Sequence, residues 1–246
     1  MPKLINPLSK FGKCELANHK IQFSVIIPTL NEADYLSKAL SSLPKSTQSI
    51  ECIIADGGST DTTKKIIDSF PQVQWIDCIE KGRAAQMNLG AHHASGEFLI
   101  FLHADVQLPS DGFKLIAEAL SRDEVIAGGF CLSYPTQHWM LKLCELGSRI
   151  NHPLMTYGDQ VLFMRRSTFQ QIKGYQDWPL MEDLEIQFRL RKLGKLSKIK
   201  TPVISSDRRF IKYGPTRQQL CNIGLVLLFL CGCSPKKLAH WYAPKI

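Results

Sequence analysis

The first half of the chain alternates between short, mostly apolar runs and longer segments with apolar residues at helical spacing. The apolar runs cover residues 21–28, 50–55, 73–76 and 98–102. Their length and their content of branched side chains are typical of strands buried on both faces. The intervening segments predict helices over about residues 31–43, 61–70 and 83–94. In the first of these, Asn31 is the expected N-cap, and Leu36, Leu40 and Leu43 form an apolar stripe.

The repeating unit of this pattern is a strand, a helix and a further strand. Consecutive units of this kind place helices on both faces of one sheet, so the chain is predicted to be an α/β protein with a Rossmann-like, mostly parallel sheet. The carboxyl ends of parallel strands meet at one edge of the sheet, where ligands bind. The polar residues that follow each strand are therefore expected to lie together.

The second half of the chain has a weaker pattern. Two further strands and one helix are predicted, over residues 125–134, 160–165 and 138–151 respectively. A last helix is expected from Glu182 to just before Gly194, with Ile186 and Leu190 on its apolar side. Because no repeat, low-complexity segment or Gly/Ser-rich linker divides the chain, a single domain followed by a helical tail is predicted.

The residues that follow the predicted strands include polar and charged side chains that could bind a ligand. They are Thr29 and Glu32, then Asp56 with two glycines, then Arg83, and then His103 and Asp105. The G-x-G-x-x-G of dinucleotide sites and the P-loop G-x-x-x-x-G-K-[ST] are both missing from the sequence, which argues against those two phosphate cradles. The residues fit a nucleotide held by Asp56, with Arg83 at its phosphates and a carboxylate for a divalent cation. Turn and helix-capping roles are the alternative for each residue taken alone.

Basic residues are concentrated in the last third of the chain. The net charge is +8, and the segment from Arg189 to Arg217 contains ten Lys and Arg residues but a single acid, Asp207. Such a segment favours an anionic partner. No nucleic-acid-binding motif accompanies the charge and aromatic residues are not interleaved with it, so no nucleic-acid partner is predicted. A phosphorylated substrate, an anionic membrane surface and a plain solvated face remain open.

The longest uncharged apolar run is Ile223–Cys233. It is about half of the ~20 residues that a membrane-spanning helix needs, and the sequence has no secretory signal, so a cytoplasmic location is expected. Core packing is the favoured interpretation of this run, with a dimer contact or a membrane-surface helix beside Lys236 and Lys237 as alternatives. The eight cysteines include no C-x-x-C pair and are expected to be small buried hydrophobes rather than zinc ligands.

Five motifs, taken in order, resemble those of one enzyme family. They are SVIIPTLNEADYL, IIADGGSTDTT, GRAAQMNLG, FLHADVQLP and GYQDWPLMEDLEIQFRLRKLG. Together they span about residues 24–194 and resemble glycosyltransferase family 2, whose fold is GT-A. More narrowly, HADVQLP, the triplet Gly158-Asp159-Gln160 and SPKKLAHWY resemble the short members of that family found beside radical-SAM proteins and associated with arsenosugar biosynthesis.

The resemblance implies roles on the donor side. Thr29, Glu32 and Asp56 would hold the base and ribose of a nucleotide sugar, and Arg83 is the arginine of the third motif. Asp159, in the later triplet, is a further substrate-binding candidate. The expected donor is therefore a nucleoside diphosphate sugar.

The fourth motif departs from the family pattern. Asp105 matches the last acid of the family's D-x-D motif and is implied to bind a metal ion, Mn²⁺ or Mg²⁺, whereas His103 stands where the first acid is usual. A neutral imidazole is a poorer ligand than a carboxylate for Mg²⁺, although it suits Mn²⁺. His103 is therefore expected either to bind the metal weakly or to donate a hydrogen bond to phosphate.

The fifth motif carries the expected catalytic acids. Glu182 and Asp183 begin the last predicted helix, where the helix dipole alone would favour an acid. Asp183 lies three residues before Ile186 and seven before Leu190, so it projects toward the packed side of that helix. The family's E-D motif implies that Asp183 is the general base, with Glu182 as the alternative.

The sequence predicts an inverting glycosyltransferase that moves a sugar from a nucleoside diphosphate sugar to a hydroxyl acceptor. Residues 1–20 are interpreted as an extension, 21–206 as the transferase domain and 207–246 as a basic and apolar helical tail. Within the domain, the nucleotide-sugar half extends to about residue 110 and the acceptor half follows it. Peripheral contact with the inner face of a membrane through the tail is an alternative to core packing of its apolar run. Two alternatives remain: a nucleotidyltransferase, and a protein that binds a nucleotide sugar or a phospholipid head group with little catalysis.

Overall fold

The computed structural model describes residues 22–44, 49–80 and 82–242, and the extension predicted over residues 1–20 lies outside them. One mixed sheet runs through the described part of the chain. Its strands are β1 (Phe23–Thr29), β2 (Ile50–Asp56), β3 (Val73–Asp77), β4 (Phe98–Phe101), β5 (Val106–Gln107), β6 (Val125–Ser133), β7 (Leu162–Arg165) and β8 (Lys195–Ser205).

Helices cover the sheet and continue beyond its last strand. They are α1 (Leu36–Ser41), α2 (Thr63–Ile66), α3 (Arg83–His93), α4 (Gly112–Leu120), α5 (Trp139–Ser148), α6 (Arg166–Gln171), α7 (Glu182–Leu193), α8 (Arg208–Tyr213), α9 (Pro215–Leu230) and α10 (Pro235–Tyr242). The sequence pattern predicts six of these strands, but it does not predict β5, β8, α4 or α6. In β8 the apolar residues are interrupted by lysines.

The strand order is β3-β2-β1-β4-β7-β6-β8-β5. The first four strands in this order are parallel, whereas β7 is antiparallel to both of its neighbours. In the parallel half, Thr29 pairs with Asp56, and Asp56 pairs with Asp77, so three strand ends lie in register at one edge. The predicted α/β architecture is confirmed.

Both faces of the sheet are buried. In β1, Val25 and Ile27 belong to one hydrophobic cluster and Ile26 belongs to the other. All three are fully buried. Because successive side chains point to opposite faces, a strand covered on both sides must be apolar at every position. This explains the uninterrupted apolar runs from which the strands are predicted.

The predicted N-cap at Asn31 is wrong. Helix α1 begins only at Leu36. Asn31 has a φ of 54°, in the left-handed region that Asn tolerates better than most residues, and its Oδ1 accepts a hydrogen bond of 2.9 Å from the backbone N–H of Thr60. The residue therefore joins the loop after β1 to the loop after β2 instead of capping a helix.

The interpretation of the apolar run near residue 223 as a core helix is also wrong. The run lies in α9, where Leu225 is buried but Leu220, Ile223, Leu227 and Leu230 are 42–61% exposed. The described residues contain no helix that is both long enough and apolar enough to cross a membrane. The exposed leucine and isoleucine side chains therefore form a surface stripe.

The cysteines fit their prediction in part. Cys52, Cys78 and Cys131 are buried, as expected for small hydrophobes, whereas Cys231 is exposed. The cysteines of the described residues are all free thiols. No cysteine cross-link between described residues therefore contributes to the stability of this fold.

Candidate active site

The ends of β1 and β2 are tied together by Thr29 and Asp56. Thr29 Oγ1 donates to Asp56 Oδ1 over 3.0 Å. The backbone N–H groups of Gly58 and Ser59 donate to Asp56 Oδ2 over 2.9 and 2.7 Å. Asp56 is only 2% exposed, and it does not itself line the cavity formed by Thr29, Gly57 and Gly58. It fixes the loop that lines that cavity, and its direct contact with a nucleotide stays a prediction.

Gln86 on α3 reinforces the same edge. Its Nε2 donates to the backbone carbonyls of Thr29 (2.6 Å) and Ala55 (2.8 Å). Gln86 is buried, so these bonds satisfy its amide where water cannot reach it. The residue lies in the third motif, but a spacing pattern does not reveal which backbone carbonyls a glutamine will reach. The sequence therefore does not predict that Gln86 joins the ends of β1 and β2.

A cavity of about 970 Å³ opens at these strand ends, and we call it the donor cavity after the role that we propose for it. Thr29, Gly57 and Gly58 line one side, and the C-terminal helices line the other. The cationic side chains in its wall are Arg83, Arg208, Arg209, Lys212 and Arg217. Its volume falls in the range of small-molecule sites, and the excess of positive charge fits an anionic ligand.

The two acids at the start of α7 lie against Arg83. The Arg83 guanidinium is 3.3 Å from Glu182 Oε1 and 3.7 Å from Asp183 Oδ2. Burial and the neighbouring Glu182 raise the pKa of Asp183 to about 7, against the opposing effect of Arg83. A carboxyl group with a pKa near neutrality is well matched to proton transfer at physiological pH. Met181, just before the helix, has a φ of 66°, a left-handed conformation that is costly for a bulky residue.

Gly158 allows Asp183 and His103 to approach one another. A Cβ at Gly158 would collide with Asp183 Oδ2 and would lie 2.7 Å from His103 Cε1. Burial, together with nearby arginines of which Arg83 has the largest effect, holds the pKa of His103 well below its usual range. The imidazole is therefore neutral, so one ring nitrogen can donate and the other can accept.

Arg208 connects the first strand end to the fourth motif. Its guanidinium donates two hydrogen bonds of 2.7 Å to the Glu32 carboxylate, and its Nη2 is 3.2 Å from Asp105 Oδ2. The same group lies over the Tyr35 ring at 4.5 Å from the centroid. The sequence pattern gives Arg208 no separate role among the ten basic residues of its segment, because its partners are far away in the chain.

A second cavity, of about 690 Å³, adjoins the first, and we call it the acceptor cavity. Its apolar wall includes Leu132, Met140, Leu143, Met155, Leu180, Leu184, Ile223 and Val226. Asp183, His103 and Asp105 line its polar end, and Arg83, Glu182 and Arg208 line both cavities. Arg209 and Glu32 also line both, so the two cavities meet at three guanidinium groups and two carboxylates.

Asp159 lies in the wall of the acceptor cavity. Its Oδ2 accepts hydrogen bonds from Tyr134 (3.3 Å) and Ser205 (3.4 Å). Its Oδ1 is buried and has no hydrogen-bond partner within the described residues. Burial and the charge of Asp105 raise the pKa of Asp159 to about 6. One oxygen of this carboxyl group is thus uncommitted.

The structure brings almost all of the predicted site residues together. Those that line one or both cavities are Thr29, Glu32, Arg83, His103, Asp105, Asp159, Glu182 and Asp183. Asp56 supports the site without lining either cavity. The individual roles predicted for these residues are taken up below as proposals.

Comparison with known proteins identifies the family. Residues 24–172, more than half of the chain, match the family model of "Glycosyl transferase family 2". The chain belongs to glycosyltransferase family 2. This family was predicted from the motifs, and the chain covers 44%, 59% and 35% of the length of three glycosyltransferase relatives that it matches.

Relatives and solved structures agree with this membership. An uncharacterized glycosyltransferase of Haemophilus influenzae is 30% identical over 148 residues, which cover 57% of this chain and 59% of that protein. Staphylococcus aureus TarS 1–349 in complex with UDP superposes with a TM-score of 0.63 at 18% identity, covering 76% of this chain and 60% of that one. The mannosyltransferase PcManGT of Pyrobaculum calidifontis, in complex with GDP-Man and Mn²⁺, gives 0.61 at 20% identity, covering 93% and 70%. At these identities the two structures show a shared GT-A fold and nothing further.

Proposed function

We propose that this family 2 enzyme transfers a sugar from a nucleoside diphosphate sugar to a hydroxyl acceptor, with inversion at the anomeric carbon. The observation that carries the proposal is the junction of the two cavities, where Arg83, Glu182 and Arg208 line both. A cationic cavity on one side suits a charged donor, and an apolar cavity ending in a carboxylate suits an alcohol. The complexes of TarS with UDP and of PcManGT with GDP-Man support a donor of this class.

The donor cavity supplies charge where the reaction needs it. When the bond between the sugar and the diphosphate breaks, negative charge grows on the leaving oxygens. Guanidinium groups at the junction therefore stabilise the transition state more than the bound substrate. Arg83 is held there by Glu182, which is 3% exposed and pairs with it at 3.3 Å. Glu182 thus acts as a positioning residue for Arg83, and Thr29 and Glu32 lie where the nucleoside would be held.

Asp183 is the proposed general base. It lines the acceptor cavity together with its neighbour Glu182, which also faces the donor cavity. The acceptor oxygen forms a bond to the anomeric carbon, its proton passes to the Asp183 carboxylate, and the electron pair of the broken bond leaves on the diphosphate. Because the acceptor enters from one cavity and the leaving group departs into the other, attack and departure occur on opposite faces. This geometry favours inversion.

A divalent cation at Asp105 is expected from the family resemblance, and PcManGT is in complex with Mn²⁺. When bound, such an ion supplies Lewis-acid stabilisation of the leaving phosphate. The side chains here do not fit one well, because Asp105 is paired with Arg208 and the described residues contain no group of three His, Cys, Asp or Glu side chains that could hold a metal. No step is therefore assigned to a metal ion, and the metal dependence expected from the sequence is not proposed for this site.

The acceptor is proposed to have an apolar body next to its reacting hydroxyl. The wall beyond Asp183 is formed by leucine, methionine and isoleucine side chains, which would leave a polar sugar chain without hydrogen bonds. Asp159, with one uncommitted oxygen, is placed to hold a polar group of substrate. The narrower resemblance to family members associated with arsenosugar biosynthesis stays a prediction about the acceptor.

The C-terminal tail is proposed to contact an anionic membrane surface. The exposed stripe of α9, formed by Leu220, Ile223, Leu227 and Leu230, has a spacing that places its residues on one helix face. Lys236 and Lys237 follow it in the chain, in a position to meet lipid head groups. Ile223 also lines the acceptor cavity, so an acceptor with an apolar body would have a direct path from the bilayer to the site. The predicted cytoplasmic location stays a prediction.

A binding screen tests the donor assignment. We expect UDP or GDP to raise the melting temperature of the protein, since a ligand at a hundred times its dissociation constant adds ~2.7 kcal/mol of stability. Arg83→Gln should weaken this binding, whereas Arg122→Gln, which removes an exposed charge just after α4 that lines neither cavity, should leave it unchanged. No stabilisation by any nucleoside diphosphate would contradict the proposal. Release of pyrophosphate from a nucleoside triphosphate would favour the nucleotidyltransferase, and binding without turnover of any sugar donor would favour the binding protein.

A further inference from the structure

The carboxylate expected to bind a metal ion already has a cationic partner. Asp105 Oδ2 is 3.2 Å from Arg208 Nη2, and this guanidinium is fixed on its other edge by the two 2.7 Å hydrogen bonds to Glu32. A two-pronged bond of this kind sets the plane of the guanidinium as well as its position. With Tyr35 stacked against its face, Arg208 is held on three sides.

The surroundings of Asp105 oppose a second cation. His103, which replaces the first acid of the motif, is an imidazole and cannot supply the negative charge that a carboxylate would. Arg83, Arg208 and Arg209 all line the two cavities around it. A divalent ion at Asp105 would compete with Arg208 for the carboxylate and would be repelled by the neighbouring guanidinium groups, and the described residues provide no group of three His, Cys, Asp or Glu side chains that could hold it. The position is therefore built for guanidinium groups.

We propose that Arg208, acting with Arg83, takes the place that a divalent cation holds in Mn²⁺-containing relatives of this fold and neutralises the diphosphate directly. This inference rests on the proposed function, because it requires a nucleoside diphosphate donor. In the reaction, the bond from the anomeric carbon to the diphosphate oxygen breaks, the bond to the acceptor oxygen forms, and the acceptor proton goes to Asp183. Arg208 remains protonated throughout and donates its N–H groups to the leaving oxygens.

The placement of Arg208 supports this role. It lines both cavities, so it lies at the junction where the leaving oxygens would be. Its side chain is 30% exposed, and burial of the rest strengthens its interaction with an anion. The hydrogen bonds to Glu32 use two of its five N–H groups. Arg209 is engaged differently, since it donates over 2.9 Å to Tyr242. Arg208 is thus the guanidinium that bridges the first strand end and the fourth motif.

The test is calorimetric titration of the full chain with UDP and with GDP, once in excess EDTA and once in excess Mn²⁺. The nucleotide that binds should do so with dissociation constants within about threefold of each other in the two buffers. In EDTA, Arg208→Gln should weaken binding ~10-fold to 100-fold, as expected for loss of a charge-assisted hydrogen bond. Arg208→Lys keeps the charge but lacks the forked guanidinium, so its affinity for the nucleotide should lie between those of the parent and Arg208→Gln. The matched control, Arg122→Gln, should bind like the parent.

The possible results distinguish a failure of the role of Arg208 from a failure of the proposed function. If Mn²⁺ tightens binding by the parent tenfold or more, the donor site stands and the role of Arg208 fails. The role also fails if a folded Arg208→Gln, checked by its thermal transition, binds like the parent in EDTA. If neither UDP nor GDP binds in either buffer, the proposed function itself fails and the inference fails with it. Because the comparison of the two buffers needs only the parent, a variant that does not fold leaves the inference testable.

Discussion

Gly158 lies so close to Asp183 that a single added Cβ would collide with the Asp183 carboxylate. Gly158→Ala should therefore displace the proposed base, and His103 beside it, without removing any functional group. Since an error of about 1 Å in a reacting group can cost ~10²-fold in rate, we expect turnover to fall by that order while nucleotide binding stays near the parental value.

The matched control for this substitution is Gly224→Ala in α9, where an added Cβ meets no neighbouring atom of the described residues. This variant should keep full activity and gain slightly in stability, because alanine favours a helix over glycine. Steady-state kinetics and titration with a nucleoside diphosphate measure the two effects separately. A Gly158→Ala enzyme with parental turnover would show that Asp183 needs no fixed position.

Asp183 should also set the pH dependence of the reaction. A base works only when deprotonated, and the pKa of Asp183 is raised to about 7, so turnover should rise as the pH increases through about 7 and then level off. Asp183→Asn should lower turnover ~10²–10⁴-fold and abolish this rise. Parental turnover in Asp183→Asn together with an inactive Glu182→Gln would transfer the role to Glu182.

The same pKa predicts an effect on stability. Between the usual carboxyl pKa and about 7, the folded protein holds a proton at Asp183 that the unfolded chain has lost. The contribution of Asp183 to the free energy of unfolding is therefore fully present below the usual carboxyl pKa and is lost as the pH rises through about 7. Asp183→Asn removes this loss, so at pH 8 the variant should melt at a higher temperature than the parent. Equal melting temperatures at pH 8 would contradict a raised pKa.

Two substitutions should create a metal site in the fourth motif. The double variant His103→Asp with Arg208→Gln gives the fourth motif two carboxylates and removes the guanidinium that pairs with Asp105. Hard oxygen ligands suit Mn²⁺ and Mg²⁺, so we expect Mn²⁺ to tighten nucleotide binding by the double variant about tenfold or more. His103→Asp alone is the control and should respond less. An equal Mn²⁺ response in the two variants would mean that Arg208 does not occupy the position of the cation.

The exposed stripe of α9 should carry membrane binding. Leu220→Asn with Leu227→Asn removes two apolar groups that are 61% and 57% exposed. If each contributes even part of the about 1.5–3 kcal/mol available from burying a leucine, binding to phosphatidylserine vesicles should weaken at least tenfold. Ile79→Asn, at a position that is 98% exposed outside this stripe, is the control.

Sedimentation with vesicles measures this binding. A parent that does not sediment with anionic vesicles would contradict the membrane contact. A parent that is dimeric in solution, and monomeric after the two substitutions, would instead show that a second copy of the chain covers the stripe.

Local pattern was enough to predict the parallel half of the sheet. Val25 and Ile26 face opposite clusters, so burial on both sides is recorded in the sequence itself as an unbroken apolar run. The position of the acids at the start of α7 also follows from local spacing. Because parallel strands end at one edge, most of the predicted site residues were expected to meet there, and they do.

Long-range partners could not be predicted in this way. Arg208 is 176 residues from Glu32 in the chain, and only the folded structure brings the two together. Asn31 was expected to cap a helix. Its side-chain oxygen instead accepts a hydrogen bond from the backbone N–H of Thr60, so that oxygen is not available to cap a helix. The apolar residues of α9 have helical spacing, and spacing alone does not say whether a helix face meets the core, a lipid or another protein.

Inverting sugar transfer by this site is tested most directly by measuring release of the nucleoside diphosphate from sugar nucleotides. The donors are UDP-GlcNAc and GDP-Man, and the acceptors are long-chain alcohols or alkyl glycosides. We expect the parent to release UDP or GDP only when an acceptor is present, and we expect the product to have the anomeric configuration opposite to that of the donor. Asp183→Asn should lower this release ~10²–10⁴-fold. Equal release by the parent and Asp183→Asn, or a product with the donor's configuration, would contradict inverting transfer by this site.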